Sequence, residues 1–240
     1  MGVSIEIENI SKSFGKKQVL NGVQLAISEG KLYGLIGPSG AGKTTLVKMI
    51  VGMDKSNSGF IKVLNKQMPN LEVLKDIGYM AQSDALYSSL TGKENLTFFA
   101  SLYKLNKAEM QKRISYTASL VNLTNELNKK VSAYSGGMKR RLSLAIALIH
   151  NPKILILDEP TVGIDPELKI GIWNELLRLK KEGKTIIVTT HVMDEAERCD
   201  FIAMVRDGQI LTSGTPDELK QLYHARTFDE VFLNAGRLEA

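Results

Sequence analysis

Polar and apolar residues alternate at the start of the chain. "VSIEIENI" from Val3 and "QVLNGVQLAI" from Gln18 predict two strands of a half-exposed antiparallel sheet. "KLYGLIG" is apolar throughout and predicts a buried strand ending at Gly37, followed by a glycine-rich loop and a helix over "TTLVKMIVGM" that stops near Gly52. "GFIKVLN" and "IGYMAQ" are further strand candidates. From about Leu86 to Asn151 apolar residues recur every three to four positions, in "KENLTFFASLYKL", "KAEMQKRISYTASLVNL" and "MKRRLSLAIALIHN", which predicts a helical insertion. Strand–helix alternation then resumes: "KILILDEP" and "KTIIVTT" as buried strands, "PELKIGIWNELLRLKKEG" and "MDEAERC" as helices. "FIAMVRDGQILTSG" reads as a hairpin turning at Asp207-Gly208. Buried strands alternating with helices imply an α/β fold with a mostly parallel sheet. The expected organisation is a single domain over 1–240. Its core spans about 1–85 and 152–215 and opens with an antiparallel β subdomain; a helical subdomain is inserted at about 86–151, and a short C-terminal extension covers about 216–240.

Composition narrows this little. The chain has 240 residues, 43% hydrophobic and 24% charged, which suits a globular fold with a sizeable core. The net charge of +5 is compatible with an anionic ligand or membrane surface. Cys199 is the only cysteine, which excludes an internal disulfide and a Cys-x-x-Cys metal knuckle. The opening residues do not have the pattern of a signal peptide. The longest apolar run, Leu142 to Ile149, is far below the ~20 residues that span a bilayer.

The chemistry concentrates in a few places. "GPSGAGKT", Gly37 to Thr44, fits Gly-x-x-x-x-Gly-Lys-[Ser/Thr], the phosphate loop of a P-loop NTPase. Its glycines let backbone amides converge on phosphate oxygens, and the helix that follows adds its positive dipole end. Lys43 is expected to reach the β- and γ-phosphates and Thr44 to hold Mg²⁺. In "ILILDEPT" two carboxylates emerge at the carboxyl end of a buried strand. Asp158 is placed for the metal and Glu159 for orienting and deprotonating an attacking water. His191 follows another buried strand and suits a γ-phosphate oxygen or the catalytic carboxylate, although a His at such a place is often architectural. Gln82 follows "IGYMA" and offers an amide oxygen to water or metal. His150 and His224 lack such context and read as ordinary structural residues.

"YSGGMKRR", Tyr134 to Arg141, is a second anion-binding helix start. Ser135 reads as an N-cap, with the helix beginning near Met138. Ser135 and the amides of Gly136 and Gly137 would face the anion, with Lys139, Arg140 and Arg141 in the first turns, where cations oppose the helix dipole.

The order Phe14, "GPSGAGKTT", Gln82, "YSGGM", "ILILDEP", "VGID", His191 resembles the nucleotide-binding subunit of an ABC transporter over essentially the whole chain. The resemblance implies an ATP-hydrolysing subunit that uses ATP and Mg²⁺. It pairs with a second ATP-binding subunit, identical or paralogous, head to tail, on the cytoplasmic face of a membrane beneath a permease. By position, Phe14 would stack on adenine, and Gly37, Pro38, Ser39, Gly40, Ala41, Gly42, Lys43, Thr44 and Thr45 would hold phosphates and magnesium. Gln82 would sense the metal and the attacking water and link to the permease. Ser135, Gly136 and Gly137 would close over the partner's nucleotide. Asp158 would coordinate metal, Glu159 serve as base, Asp165 contact the partner and His191 sense the γ-phosphate. Tyr134 and Met138 stand where Leu and Gln are commoner, and "VGID" where Ser-Ala-Leu-Asp is commoner. With "MDEAERCD" and "FDEVFLNAGR", these departures resemble the bacterial branch whose separate permeases export drugs, peptides, polysaccharides or ions. The other readings are an importer subunit, a soluble ABC protein coupled to nucleic-acid or translation work, and a P-loop kinase. No basic stripe interleaved with aromatics points to nucleic acid, and a kinase leaves "YSGGM" unexplained.

Overall fold

The computed structural model describes residues 2–83 and 85–237; Met1, Asp84 and the last three residues of the expected 216–240 extension lie outside the described residues. Contacts divide the chain into two compact units, residues 1–73 with 185–240, and residues 74–184.

The first unit holds two sheets. In one, β1 (Val3–Phe14) lies between β2 (Lys17–Ser28) and β4 (Ser58–Val63), antiparallel to both, and β5 (Lys66–Gln67) pairs with β4. The alternation seen in the sequence is the inner face: Ile5, Ile7 and Ile10 of β1 and Leu20, Val23 and Ile27 of β2 are all buried. The register shifts between Ile7 and Ile10, where Asn9 takes φ 50°. β1 continues past "VSIEIENI" to Phe14 because Ser13 and Phe14 still pair with Gln18 and Lys17 across the hairpin. In the other sheet, β3 (Leu32–Ile36) runs parallel to β8 (Thr185–Thr190) on one side and β9 (Phe201–Arg206) on the other. β9 turns at Asp207-Gly208 into antiparallel β10 (Gln209–Gly214). Asp207 and Gly208 both have positive φ, the requirement of the tight hairpin turn expected there. Every residue of β3 and β8 is buried, at ~1.5–3 kcal/mol of stabilisation for each large aliphatic side chain.

The helices of this unit are α1 (Lys43–Ile50), α6 (Met193–Ala196), α7 (Pro216–Leu222) and α8 (Phe228–Arg237). The stretch read as a short extension is therefore two helices. Thr215 and Glu218 form a capping box at the start of α7, and Phe228 and Val231 bury the inner face of α8.

In the second unit β6 (Ile77–Met80) is parallel to β7 (Ile154–Asp158), with Met80 opposite Leu157. Around the pair lie α2 (Gly92–Leu102), α3 (Lys107–Leu120), α4 (Gly136–Leu148) and α5 (Pro166–Lys181). Each begins at a side chain that satisfies a first-turn amide: Thr91, Asn106, Ser135 and Asp165 respectively. α2, α3 and α4 contact one another, and their buried residues include Leu96, Ala100, Ile114, Ala118, Leu142 and Ala145. The architecture is that of an α/β P-loop NTPase, with parallel strands, a separate antiparallel sheet and a helical cluster. None of the described helices is long and apolar enough to cross a membrane.

Candidate functional site

The phosphate loop leaves the buried end of β3. Gly37 has φ 155°, and a Cβ there would stand 2.0 Å from the carbonyl oxygen of Val205 on β9. Gly42, at φ 106°, is the N-cap of α1, where a Cβ would meet Leu20 Cδ2 at 2.6 Å. No side chain caps α1, so its leading amides are offered to an external acceptor. Pro38, Ser39 and Gly40 are exposed, Ala41 and Gly42 are buried, and Thr44 and Thr45 are half-buried at the first turn. Lys43 is buried, and its Nζ donates to the carbonyls of Gly37 (2.6 Å) and Pro38 (3.0 Å), which folds the ammonium over its own loop.

Strand register brings a second predicted residue to this edge. Ile36 of β3 stands opposite Thr190 of β8, so Gly37 and His191 leave adjacent parallel strands at the same carboxyl end. His191 is exposed. The backbone after it is fixed by Thr190, whose hydroxyl donates to buried Glu195 (2.6 Å) and accepts from the Val192 amide (3.0 Å). Phe14 ends β1 at the β1–β2 hairpin of the same unit and is 52% exposed. Leu20, against which Gly42 packs, is the cross-strand partner of Lys12, two residues before Phe14.

The other predicted residues belong to the second unit. Asp158 is the last residue of β7, 1% exposed, and Glu159 follows with φ 53°. That left-handed conformation costs a non-glycine residue about 1–3 kcal/mol. Gln82 follows β6 and is exposed. Burial, reinforced by the charge of Asp158, pushes the Tyr79 phenol up to about 12, so it stays neutral beside that carboxylate.

Ser135 is the N-cap of α4 and its Oγ accepts from the Met138 amide at 3.2 Å. The helix thus begins at Gly136, two residues before the expected Met138, because Met138 is the third helical residue, the one an N-cap serine reaches. Gly136 has open space where a Cβ would be; a Cβ on Gly137 would come to 3.1 Å of the Gly163 carbonyl. Tyr134 is buried, and its hydroxyl donates to the Glu126 carbonyl at 2.8 Å. Asp165 caps α5, accepting from the Leu168 amide at 3.0 Å while remaining exposed.

The cations after the glycines differ from expectation. Arg140 is buried, and its guanidinium donates to four carbonyls: Ala81 (2.7 Å), Gln82 (2.9 Å), Glu159 (2.8 Å) and Asp158. It ties the ends of β6 and β7 to the start of α4. Arg141 donates to the carbonyls of Val121 and Asn122, just after α3. Of the three cations, then, two grip backbone rather than face an anion. Their positions oppose the helix dipole, and that anomaly was the one sequence signal that they have other work.

For a metal, the first unit offers the Thr44 hydroxyl, and the second unit, taken by itself, offers the Gln82 amide oxygen and the Asp158 carboxylate. All are hard oxygens of the kind Mg²⁺ takes while keeping water and phosphate in its remaining positions. Among the described residues no group of three or more His, Cys, Asp or Glu could hold a metal alone.

A family model described as "ABC transporter" matches residues 20–162. The chain is 41% identical over 220 residues to the Nod factor export ATP-binding protein I of Rhizobium meliloti, covering 90% of this chain and 66% of that one. It is 39% identical over 220 residues to the linearmycin resistance ATP-binding protein LnrL of Bacillus subtilis (strain 168), covering 90% and 70%. The chain thus spans about 66% of the length of the first of these relatives. Among solved structures it resembles an ATP binding subunit of an ABC transporter with TM-score 0.90 and 27% identity, over 97% of this chain and 99% of that one. It also resembles a dimeric ATP-binding cassette in a post-hydrolysis state bound to ADP and Pi, with TM-score 0.82 and 28% identity, over 88% and 98%. The chain belongs to the ABC transporter family and carries its ATP-binding, ATP-hydrolysing cassette.

Proposed function

We propose that this protein is the ATPase subunit of an exporter. Two cassettes pair around two ATP molecules, and the cycle of binding and hydrolysis drives a membrane permease from its cytoplasmic face. The observation that carries the reading is the division of labour between two helix starts. α1 begins at uncapped glycine amides beside Lys43, whereas α4 begins at Ser135 and two glycines with its arginines turned to backbone carbonyls. The second start has the amides of an anion site but not the Gly-Lys-Thr phosphate loop that leads into α1, as suits a surface that completes a partner's site. Export is supported by the names of the relatives.

In this reading Phe14 stacks on adenine, residues 37 to 45 cradle the phosphates, and Thr44, Asp158 and Gln82 hold Mg²⁺. When bound, the metal neutralises β- and γ-phosphate charge. Glu159 accepts the proton of the attacking water, His191 contacts the γ-phosphate, and Asp165 lies against the partner. Because each nucleotide is shared, ATP binding favours the pair by mass action and hydrolysis releases it.

Steady-state turnover against protein concentration tests this. The rate per protomer should rise with concentration and saturate, and Lys43→Ala should lose nucleotide binding. A per-protomer rate independent of dilution refutes pairing, and unchanged turnover in Lys43→Ala refutes the phosphate-loop assignment.

A further inference from the structure

Phe14 and Lys12 are two apart on β1 and so share a face of the strand. The Lys12 ammonium lies 4.9 Å from the centroid of the Phe14 ring. It is held there by Asp54 Oδ1 at 2.6 Å and by the carbonyl of Lys55 at 2.6 Å, and the lysine side chain is only 12% exposed. The hydrogen bond from Lys12 holds the Asp54 carboxyl below the usual carboxylate range. The brace continues along the strand: Asn57 Oδ1 accepts from the Ser13 amide at 2.6 Å, and the Asn57 amide donates to Ser11 at 2.8 Å. Asp54 itself follows α1, its amide reaching the Lys48 carbonyl at 3.3 Å. The helix that starts at the phosphate loop thus ends in the tether of the lysine that lies over the ring.

We infer that Lys12 is a positioning residue for the nucleobase, fixing Phe14 as a stacking platform and setting the preference for a purine triphosphate over a bare polyphosphate. A half-exposed phenylalanine at the end of a hairpin would otherwise sample several rotamers. A cation on one ring face pins that face and draws π density toward it, leaving the opposite face better suited to an electron-rich purine. Because Asp54 and Lys55 neutralise and desolvate the ammonium, its influence runs through the ring and not as free charge toward the phosphates. This inference rests on the reading of Phe14 as the adenine platform.

Calorimetric titration of the full chain with ATP and with inorganic tripolyphosphate, which has no base, tests it. Lys12→Met, which keeps the length and removes the charge, should weaken ATP about 3- to 10-fold and tripolyphosphate less than about twofold. Retained tripolyphosphate binding also reports an intact loop. Lys12→Arg, which keeps a cation over the ring, should retain more ATP affinity than Lys12→Met. In a Phe14→Ala background Lys12→Met should add nothing. Equal losses for both ligands, or no loss for ATP, overturn the inference. If Phe14→Ala weakens ATP selectively while Lys12→Met does not, only the role of Lys12 falls. If Phe14→Ala leaves ATP binding unchanged, the platform reading falls with it.

Discussion

Arg140 shows what one side chain does in this fold. A buried guanidinium is stable only when its donors are satisfied, and carbonyls on two strand ends satisfy it. One of them belongs to Glu159, the residue held in the left-handed region. Loss of the clamp removes the restraint on that backbone, and displacement of a catalytic group by ~1 Å costs up to about 100-fold in rate. Arg140→Met is therefore expected to lower kcat about 10- to 100-fold with KM for ATP within about twofold, as steady-state ATPase assays would read. An unchanged kcat would deny Arg140 any part in placing Glu159. The carboxylates, the lysine and the glycines stood out in the sequence as candidates because their spacing suits phosphate geometry. The direction of Arg140 did not, since helix phase and strand register jointly decide it and neither is local.

At the scale of elements, the helices were visible through apolar spacing, but of their starts only the Ser135 cap was picked out; Thr91, Asn106 and Asp165 emerge as caps from the structure. The box at Thr215 and Glu218 was not picked out, because that stretch is too short to show apolar periodicity, and it passed for an extension. Where elements meet, sequence is silent. His150, read as unremarkable, joins three of them: it follows α4, stacks on Tyr103 at the end of α2 with centroids 3.6 Å apart, and its Nε2 donates to the Ile77 carbonyl of β6 at 3.1 Å. Its Nδ1 is buried without a hydrogen-bond partner. Burial, with the nearby Arg113 and Lys184 charges, lowers its pKa from 6.5 to about 4, against a partial counter-effect from the Ile77 hydrogen bond and Asp76. Because the folded value is depressed, the unfolded chain takes up the proton first. Stability is intact above 6.5 and is lost as pH falls toward 4, by about 3 kcal/mol in total. Thermal unfolding followed from pH 7 to 4.5 should show the midpoint falling. His150→Phe, which keeps a stacking ring, should remove up to one proton of that slope; the same slope in the variant would place its origin elsewhere.

For the whole molecule, the fold class was readable because a parallel sheet demands unbroken apolar strands, and β3, β7 and β8 supply them. Strand order was not readable, and it is strand order that brings Gly37 and His191 to one edge. Least local of all is the pairing of two chains, on which every assignment to Ser135, Gly136, Gly137 and Asp165 depends. Sedimentation of Glu159→Gln with and without saturating ATP tests it most directly. Removing the base should slow hydrolysis by about 100-fold or more, so the ATP-bound form accumulates. The account predicts a monomer without nucleotide and a stable dimer with ATP that a further Ser135→Arg substitution abolishes. A Glu159→Gln protein that binds ATP yet sediments as a monomer would contradict it.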